Sequence, residues 1–490
     1  MTNYKFLGRV FSNLLLAAVG FVWSVEVGAE TPSIAGDPCI ACMSIRVGLP
    51  RVARGPSADI ADNRFTEIEL PNGSFRGFDA HGDTRAIDGT QPWDMGAPGR
   101  VVLGRGVPNS FDSCGQWLNH AEPMGAGILG FVHAETACNY AAGQTHKSMA
   151  LARSNDDGLT WRNLGQIITG TDSPTLRKNT GEGDCTAVDG HDGYYYAYCF
   201  RARDGGLIAA RAPVSDPAPG TWRKYLGGTW DQPGLGGDAT RLANGSGVSV
   251  SRWATTGDLI LTGWVPGGLG LFVTRDHVSL KAMPEPLLVA DPGNWRRPAA
   301  SELIAYPVLL DARNGGNQLS NSWILVYAYW PPGGGGADKY LVFRDVTVSA
   351  LAAGGPQVGV LLARWFDPVR HDRWSTTGPV PGNDTSYRFE ARSGYLLTAP
   401  QERATTVELE DCVSERPGHP DHLLAEKGFC ASHAYQRLRT AGWIYAQSRP
   451  ETVPLYRCYN PKDQSHFASN VPDCEKLGEM ERLLGYALRS

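Results

Sequence analysis

The chain has 490 residues, a formal net charge of −5 and only 19% charged residues. This charge balance provides no basic surface for a phosphate backbone, which argues against a nucleic-acid partner. The sequence contains 59 Gly, 33 Pro, 14 Trp, 18 Tyr and 15 Phe. So many turn formers and flat side chains are typical of a β-sheet protein, and aromatic faces also pack against the C–H faces of sugar rings.

The first thirty residues have the pattern of a secretory signal peptide. Lys5 and Arg9 precede an apolar run over 14–22, and small residues at 27–29 precede Glu30. This order predicts removal of residues 1–29, the alternative being an uncleaved anchor. No later segment is apolar over the about 18 residues that a membrane span needs. We therefore expect a secreted protein, extracellular or periplasmic, with no membrane contact after cleavage.

Ten cysteines fit an oxidising compartment. Cys39 and Cys42 have the spacing of a redox or zinc pair, but no second such pair accompanies them, so a disulfide is favoured. Cys185 and Cys199 flank a hairpin-like stretch and are expected to join it. The sequence leaves the other pairings open; they involve Cys114, Cys138, Cys412, Cys430, Cys458 and Cys474.

Four segments in the middle of the chain share one layout, an apolar strand followed by a gap and a second strand. They begin at residues 127, 193, 258 and 322, at intervals of 66, 65 and 64 residues. Regular spacing of short strand groups is the signature of a β-propeller, in which sheets surround an axis. The spacing predicts an all-β fold, a five-bladed propeller over 30–384. Six or seven blades would fit if some were shorter.

One segment carries an independent marker of this fold. Residues 154–161, Ser-Asn-Asp-Asp-Gly-Leu-Thr-Trp, match the Asp-box of sialidases and other propellers. In such a box the Asp caps a hairpin turn, the Gly takes a left-handed conformation and the Trp packs between sheets. The box is structural, so it predicts the fold and not the chemistry.

From about residue 385 the sequence changes character. Gly-aromatic strand starts recur at Gly394, Gly442 and Gly485, and four of the ten cysteines lie here. The pattern around Leu-Tyr-Arg-Cys458 resembles small repeat modules appended to secreted bacterial hydrolases. The resemblance implies a bacterial source and a small β-rich ancillary domain with disulfides over 385–490. Such a module either holds the protein to a glycan or only stabilises the chain.

Carboxylates precede several of the repeated strands. Asp184, Asp238 and Glu302 stand at comparable positions, and an earlier repeat offers Asp79 and Asp83. The arrangement resembles the arabinanase, xylosidase and fructosidase clans of glycoside hydrolases. The resemblance implies Asp79 or Asp83 as base, Asp184 or Asp238 as the group that tunes the acid's pKa, and Glu302 as general acid.

These carboxylates have plainer interpretations. An Asp after a Gly at the head of a strand is often a turn residue that accepts backbone N–H bonds. Glu182 with Asp184 is also a candidate pair for a structural calcium ion. Apart from that ion, the sequence predicts no required cofactor.

A second group of residues competes with the carboxylates. β-Elimination on uronates uses an imidazole or phenol group as base and acid, and an arginine that neutralises the uronate carboxylate, as in propeller polysaccharide lyases. The candidate substrate-binding residues of this group are His133, Glu135, His146, Tyr195 and Arg211.

The first expectation is a secreted glycoside hydrolase that acts as a monomer on a polysaccharide or oligosaccharide. The alternatives are a lyase and a non-catalytic glycan-binding propeller. The order of preference rests on the repeat spacing and on the three carboxylates at comparable positions.

Overall fold

A computed structural model describes residues 43–489 except 59, 61, 96–98, 246, 292, 351–356, 381–385 and 417–418. The predicted signal peptide and the pair Cys39 and Cys42 lie outside these residues. The described chain is nearly all β-strand, and its single α-helix, α1, covers only Phe429–Ser432. Within this part of the chain no helix is long and apolar enough to cross a membrane. The predicted all-β class is confirmed.

Residues 66–244 form three consecutive groups of mainly antiparallel strands. The first group contains β3 (Thr66–Glu69), β4 (Phe75–His81), β5 (Asp83–Gly89) and β6 (Val101–Leu103). Among the described residues, no strand lies between β5 and β6. The second contains β7 (Gly115–Met124), β8 (Gly127–Asn139), β9 (Gln144–Ser154) and β10 (Arg162–Thr169). The third contains β11 (Asn179–Asp189), β12 (Tyr194–Arg201), β13 (Gly206–Pro213), β14 (Arg223–Leu226), β15 (Thr229–Pro233) and β16 (Ala243–Asn244).

Two more groups follow and complete a ring-like succession. The fourth contains β17 (Ser249–Trp253), β18 (Leu259–Val265), β19 (Gly268–Thr274), β20 (Lys281–Ala282) and β21 (Leu288–Val289). The fifth contains β22 (Leu303–Asp311), β24 (Ser322–Trp330) and β25 (Tyr340–Ala350), while β23 (Gln318–Leu319) pairs with β17. The inner strands β7, β11, β17 and β22 contact their neighbours in this order, and β3 contacts β7. The propeller architecture is thus the one that the repeat spacing predicts.

In the second to fifth groups, the second and third strands contain apolar runs that are buried along both faces. In β24, for example, eight consecutive residues from Trp323 to Trp330 are buried. A sheet covered on both sides by neighbouring sheets buries both faces of its strands, which explains apolar runs without alternation. Between the second and third groups, Phe131, Tyr195 and Trp222 pack together in one such core.

The N-terminal strand of the described chain completes the last sheet. Strand β1 (Met43–Val47) pairs antiparallel with β25 and parallel with β26 (Gln357–Asp367). Strand β2 (Arg51–Arg54) also pairs with β25. The beginning of this region is therefore held between the fifth group and the C-terminal part of the chain.

The C-terminal part consists of three similar three-stranded repeats. After β26 the strands are β27 (Asp372–Thr376), β28 (Arg388–Leu397), β29 (Thr406–Arg416), β30 (His419–Glu426), β31 (Gln436–Tyr445), β32 (Thr452–Asn460), β33 (Ser465–Ser469) and β34 (Glu479–Leu488). The middle strands β27, β30 and β33 contact one another. Strand β26 pairs with both β27 and β28, so hydrogen-bonded structure crosses the boundary predicted at residue 385. We call residues 357–488 the C-terminal unit.

Four disulfides lie in the described residues. The predicted bond between Cys185 and Cys199 is confirmed, and it joins the adjacent strands β11 and β12. The other three bonds are Cys114–Cys138, Cys412–Cys430 and Cys458–Cys474. Such bonds are stable in an oxidising compartment.

The Asp-box forms the expected turn after β9. Asp156 accepts hydrogen bonds from the backbone and the hydroxyl of Thr160, and Gly158 has a φ of 79°. The Trp161 ring packs edge-on against Phe78 of the first group, 5.7 Å between ring centres. The box therefore ties one sheet to its neighbour, as the sequence predicts.

Candidate active site

Three inner strands carry a β-bulge near the start of the strand. The register shifts lie between Leu118 and His120 in β7, between Gly183 and Thr186 in β11, and between Ala305 and Val308 in β22. Bulges are common beside active sites because they turn a side chain out of the regular alternation. Here the residues within the bulges are Asn119, Asp184 with Cys185, and Tyr306 with Pro307.

Two of these residues adopt a left-handed backbone conformation. Asp184 has a φ of 51° and Tyr306 a φ of 52°. This region is unfavourable for residues with a Cβ, and such strain is concentrated at functional sites. Both side chains reach groups of neighbouring sheets, as described below.

Polar side chains tie the inner strands together around the axis. Asn63 donates to the carbonyl of Leu118 at 2.8 Å, and Asn119 donates to the carbonyl of Cys185 at 2.9 Å. Arg64, which is fully buried, donates from Nε to the carbonyl of Val248 at 2.6 Å. These bonds cross between sheets, so the position of each inner strand depends on its neighbours.

Asp62 lies just before β3 and is partly exposed, with 36% of its side chain accessible. The Tyr306 hydroxyl donates to Asp62 Oδ1 at 2.9 Å, and His81 Nδ1 is 3.6 Å from Asp62 Oδ2. Burial opposes the charged carboxylate, but the hydrogen bond with His81 and the charge of Lys339 lower the pKa of Asp62. Asp62 is therefore an ionised carboxylate that water can reach.

A second acidic cluster faces the start of β11. Lys147 Nζ lies 2.6 Å from Glu135 Oε1 and 3.0 Å from Asp184 Oδ2, so one ammonium bridges two carboxylates. His133 Nε2 lies 3.2 Å from Glu135 Oε1 and 3.6 Å from Asp184 Oδ1. Glu135 is buried, whereas 22% of the Asp184 side chain is accessible. Asp184 is thus the carboxylate of this cluster that a ligand can reach.

The backbone of Asp184 fixes the tautomer of His133. The Asp184 N–H donates to His133 Nδ1 at 2.9 Å, so Nδ1 is an acceptor and the proton of the neutral ring is on Nε2. That Nε2–H faces the carboxylates of Glu135 and Asp184. The ring also packs on Trp117, 5.3 Å between ring centres. His133 therefore acts as a fixed hydrogen-bond donor.

The electrostatics of this cluster favour charged carboxylates. Burial alone would raise the pKa of Asp184, but Lys147, His133 and Arg64 together lower it to about 2. Burial is likewise outweighed at Glu135, where Lys147 and His133 hold the pKa far below its usual range. The same carboxylates raise the pKa of Lys147 against the effect of burial.

Tyrosine side chains connect the two acidic groups. Burial raises the pKa of Tyr306 well above its usual value, and the charges of Asp62 and Asp184 raise it further. Tyr140, in a short turn after β8, donates from its hydroxyl to Glu135 Oε2 at 2.7 Å and also interacts with the charge of Asp62. The three carboxylates Asp62, Glu135 and Asp184 are therefore grouped around these two tyrosines.

Three of the residues selected from the sequence belong to this site, namely Asp184, His133 and Glu135. Asp83 does not: it starts β5, accepts a hydrogen bond from the backbone of Arg105 at 2.9 Å and lies near the guanidinium of that residue. Asp79, the alternative to Asp83, is buried and pairs with Arg54 at 2.8 Å. The carboxylate expected from the first sheet is instead Asp62.

Asp238 and Glu302 also have partners outside this group of residues. Residues 237–242 form no strand, and the inner strand of the fourth group is instead β17. Asp238 lies in a loop, where it pairs with Arg203. Glu302 does precede β22, but its side chain points to the C-terminal unit and pairs with Arg439 at 3.0 Å.

The remaining candidate residues are spread over two sheets. His146, the neighbour of Lys147 on β9, bonds to Thr180 through Nδ1 at 2.9 Å. Tyr195 is buried against Phe131. Arg211 stacks on Tyr194, with its guanidinium 4.2 Å from the ring centre. Tyr195 packs between the third and second groups and Arg211 packs within the third group, and neither has a described contact with His133.

Glu182 and Asp184 have different partners, although they are close in sequence. Glu182 is buried and its Oε2 lies 2.6 Å from Nζ of the buried Lys224. Among the described residues, one group of potential metal ligands is close enough to share an ion, namely Glu410, Cys412 and Cys430. The two cysteines of that group are joined in a disulfide. A calcium ion stays a prediction.

Several residues of the site were not selected from the sequence. Asp62 and Arg64 precede β3 and His81 ends β4, in the first group, from which the sequence supplied only Asp79 and Asp83 as candidates. Tyr306 offered a signal, since it precedes Pro307 inside a strand and a proline there marks a bulge or an edge. Lys147 lies beside His146, and the sequence alone does not show that its ammonium reaches both Glu135 and Asp184.

No protein-family model matches the chain, and no curated protein sequence matches it. Among solved structures, a family 117 glycoside hydrolase from Zobellia galactanivorans is similar with a TM-score of 0.43 and 10% identity, over 63% of this chain and 91% of that one. An α-L-arabinofuranosidase from Lactobacillus brevis has a TM-score of 0.39 and 14% identity, over 59% and 90%. An exo-1,5-α-L-arabinanase from a bovine ruminal metagenomic library has a TM-score of 0.39 and 11% identity, over 62% and 99%. These identities are too low to transfer a residue role.

Proposed function

We propose that this chain is a secreted glycoside hydrolase that cleaves an extracellular polysaccharide or oligosaccharide. The observation that carries the proposal is that Asp62 and Asp184, two accessible carboxylates from different sheets, both act on the same buried phenol, that of Tyr306. Hydrolysis of a glycosidic bond needs two such groups, one to activate the nucleophile and one to protonate the leaving oxygen.

The two carboxylates have different surroundings, which suits different roles. Asp62 accepts one hydrogen bond from Tyr306 and is close to His81, so we assign it as the base that activates water. Asp184 is the second carboxylate. It is ionised in the free protein, so to act as proton donor it must take up a proton from solvent as the sugar binds and covers its accessible part. Desolvation favours the neutral carboxyl, whereas Lys147 opposes it in the free protein.

The first test is cleavage of a panel of plant, algal and bacterial-wall polysaccharides by the mature protein. Reducing ends and near-ultraviolet absorbance are followed together. A rise in reducing ends without absorbance supports a hydrolase. A rise in both indicates β-elimination and contradicts the proposal.

Substitutions then test the two residues. We expect Asp62→Asn and Asp184→Asn each to reduce cleavage about 100-fold to 10,000-fold, the usual range for loss of an acid or base. The matched control is Asp238→Asn, an accessible carboxylate with other partners, which keeps wild-type activity. Wild-type activity in either Asp62→Asn or Asp184→Asn would contradict the assignment.

Leaving-group dependence separates the roles. The Asp184→Asn variant should retain activity on aryl glycosides with activated leaving groups, because these need no proton. The Asp62→Asn variant should be inactive on both kinds of substrate and be partly restored by azide, which replaces the activated water. The reverse pattern would exchange the two roles.

A further inference from the structure

An exposed tryptophan lies beside the candidate active site. Trp295, in the loop before β22, has 51% of its surface accessible. Its ring contacts Tyr306, 5.8 Å between ring centres, and Trp330, 6.0 Å. Tyr306 in turn hydrogen-bonds Asp62. An accessible indole therefore stands one residue away from the proposed base.

The loop that carries Trp295 is anchored to the propeller. Arg297 donates from Nε to the carbonyl of Gly334 at 2.9 Å and from Nη1 to the carbonyl of Ser301 at 2.7 Å. It also donates to the carbonyl of Pro331. One guanidinium thus joins this loop to the loop after β24. Trp295 is accessible on an anchored segment, unlike an apolar side chain at a free loop tip.

The C-terminal unit holds the same loop at both ends. Arg437 on β31 donates to Asp291 at 2.7 Å, and Arg439, two residues further on the same strand, lies 3.0 Å from Glu302. Asp291 precedes the loop and Glu302 ends it. Arg439 and Glu302 are both almost fully buried, whereas the side chains of Arg437 and Asp291 are 36% and 29% accessible.

We infer that Trp295 is the stacking platform for a sugar ring next to the scissile bond, and that strand β31 holds this platform in place. This inference rests on the proposed function. Stacking of a pyranose or furanose ring uses its apolar C–H face, so the platform suits a neutral sugar unit. Arg437 and Arg439 are positioning residues that act through the loop. The C-terminal unit therefore contributes to substrate binding without touching the sugar.

Binding is tested in the Asp62→Asn background, which removes cleavage. The probes are arabinan, xylan, galactan, laminarin and agarose in native affinity electrophoresis. We expect at least one of them to retard the Asp62→Asn protein, and Trp295→Ala to weaken this binding about tenfold, in line with the loss of one aromatic contact. The matched control is Phe389→Ala, another exposed aromatic residue, on β28 of the C-terminal unit. This control should bind normally.

The role of β31 is tested with Arg437→Ala, because removing the buried Arg439 risks unfolding. Exchange of backbone amides over 293–301 should accelerate, and glycan binding should weaken about threefold to tenfold. Asp291→Asn should have the same effect. Arg482→Ala is the control, because Arg482 pairs with Glu426 inside the C-terminal unit at 2.8 Å. The Trp295→Ala and Arg437→Ala double variant should bind no more weakly than Trp295→Ala.

Each outcome decides one part of the inference. Unchanged retardation of Trp295→Ala, or no retardation of the Asp62→Asn protein by any of the five polysaccharides, overturns the platform. Additive loss in the double variant, or unchanged exchange in Arg437→Ala, overturns the role of β31. Retardation that depends on Trp295 without any cleavage by the wild type contradicts the hydrolase and leaves the platform standing.

Discussion

His466 on β33 lies between two carboxylates. Its Nδ1 is 3.0 Å from Asp421 Oδ1, and its Nε2 is 3.4 Å from Glu481 Oε1. Burial opposes the charged imidazolium, but the two carboxylates outweigh burial and raise the pKa of His466 to about 9. Because only 14% of the side chain is accessible, solvent screens this interaction little.

This raised pKa predicts a loss of stability at alkaline pH. The unfolded residue titrates near 6.5, so the contribution is fully present below pH 6.5 and is lost as the pH rises to about 9. We expect the free energy of unfolding to fall by up to about 3 kcal/mol over this window. Urea denaturation at pH 6 and pH 9 measures the fall, which His466→Gln should abolish.

The control for this prediction is His433→Gln, since His433 is exposed and stacks on Phe429 without a carboxylate partner among its described contacts. It should show the same pH dependence as the wild type. An equal pH dependence in His466→Gln would refute the assignment of the effect to His466.

At the scale of the strand, the bulge in β11 places Asp184. Cys185 follows Asp184 in the bulge and is bonded to Cys199 of β12, so the irregular part of the strand is tied to its regular neighbour. A left-handed residue in a strand needs such support from its surroundings, because the backbone conformation alone is unfavourable.

Removing this disulfide should affect both stability and activity. Cys185→Ala with Cys199→Ala should lower the free energy of unfolding by about 3 kcal/mol, because the bond closes a short loop. Activity measured well below the melting temperature should also fall, since the bulge loses its tie. The control variant is Cys412→Ala with Cys430→Ala, which removes a disulfide that closes a loop of similar length in the C-terminal unit. It should cost similar stability and no activity; equal activity loss in both pairs would contradict the role of the bulge.

The strands were predictable where packing leaves a pattern in the sequence. Each repeat has two adjacent apolar strands covered on both faces, such as β18 and β19, and their spacing predicts the propeller. The short strand β17, Ser-Val-Ser-Arg-Trp, has no such pattern, and only the two-residue strand β16 lies between it and β15. From the sequence, the inner strand of this group was therefore placed at 237–242, and Asp238 was chosen as a candidate site residue.

The site was predictable only in part, because its contacts join distant segments. Asp184 was found from its place before an apolar strand. Asp62 and Tyr306 are 244 residues apart, and their contact depends on bulges that only the register with a partner strand defines. Glu302 precedes the expected strand, but the sequence does not show that the C-terminal unit covers it.

At the scale of the whole molecule, a buried network joins the propeller to the C-terminal unit. Arg439 lies between Glu302 and Asp411, and it also donates to the Tyr329 hydroxyl at 3.0 Å. Arg344 of β25 donates to the carbonyl of Thr377 at 2.6 Å. The ionisable side chains of this network are all buried, so each depends on its partners; they are Glu302, Arg344, Asp411 and Arg439.

Glu302→Ala should therefore act on stability and leave the chemistry intact. The buried Arg439 would lose a partner, which costs about 3 to 5 kcal/mol when one side of a buried pair is removed. Thermal unfolding measures this loss. At low temperature the kcat per folded molecule should stay within a few-fold of wild type, whereas the KM should rise because the Trp295 loop loses one anchor. Full stability with no activity would return Glu302 to the role of general acid that the sequence suggested.

The pairing of strand β1 affects the order in which parts of the protein can fold. Its partners begin with Val346 to Ala350 on β25 and continue on β26, roughly three hundred residues later in the chain. Pairings of such long sequence separation form late and slow folding. During synthesis strand β1 waits until almost the whole propeller has emerged, and the last sheet is complete only when β26 of the C-terminal unit is present.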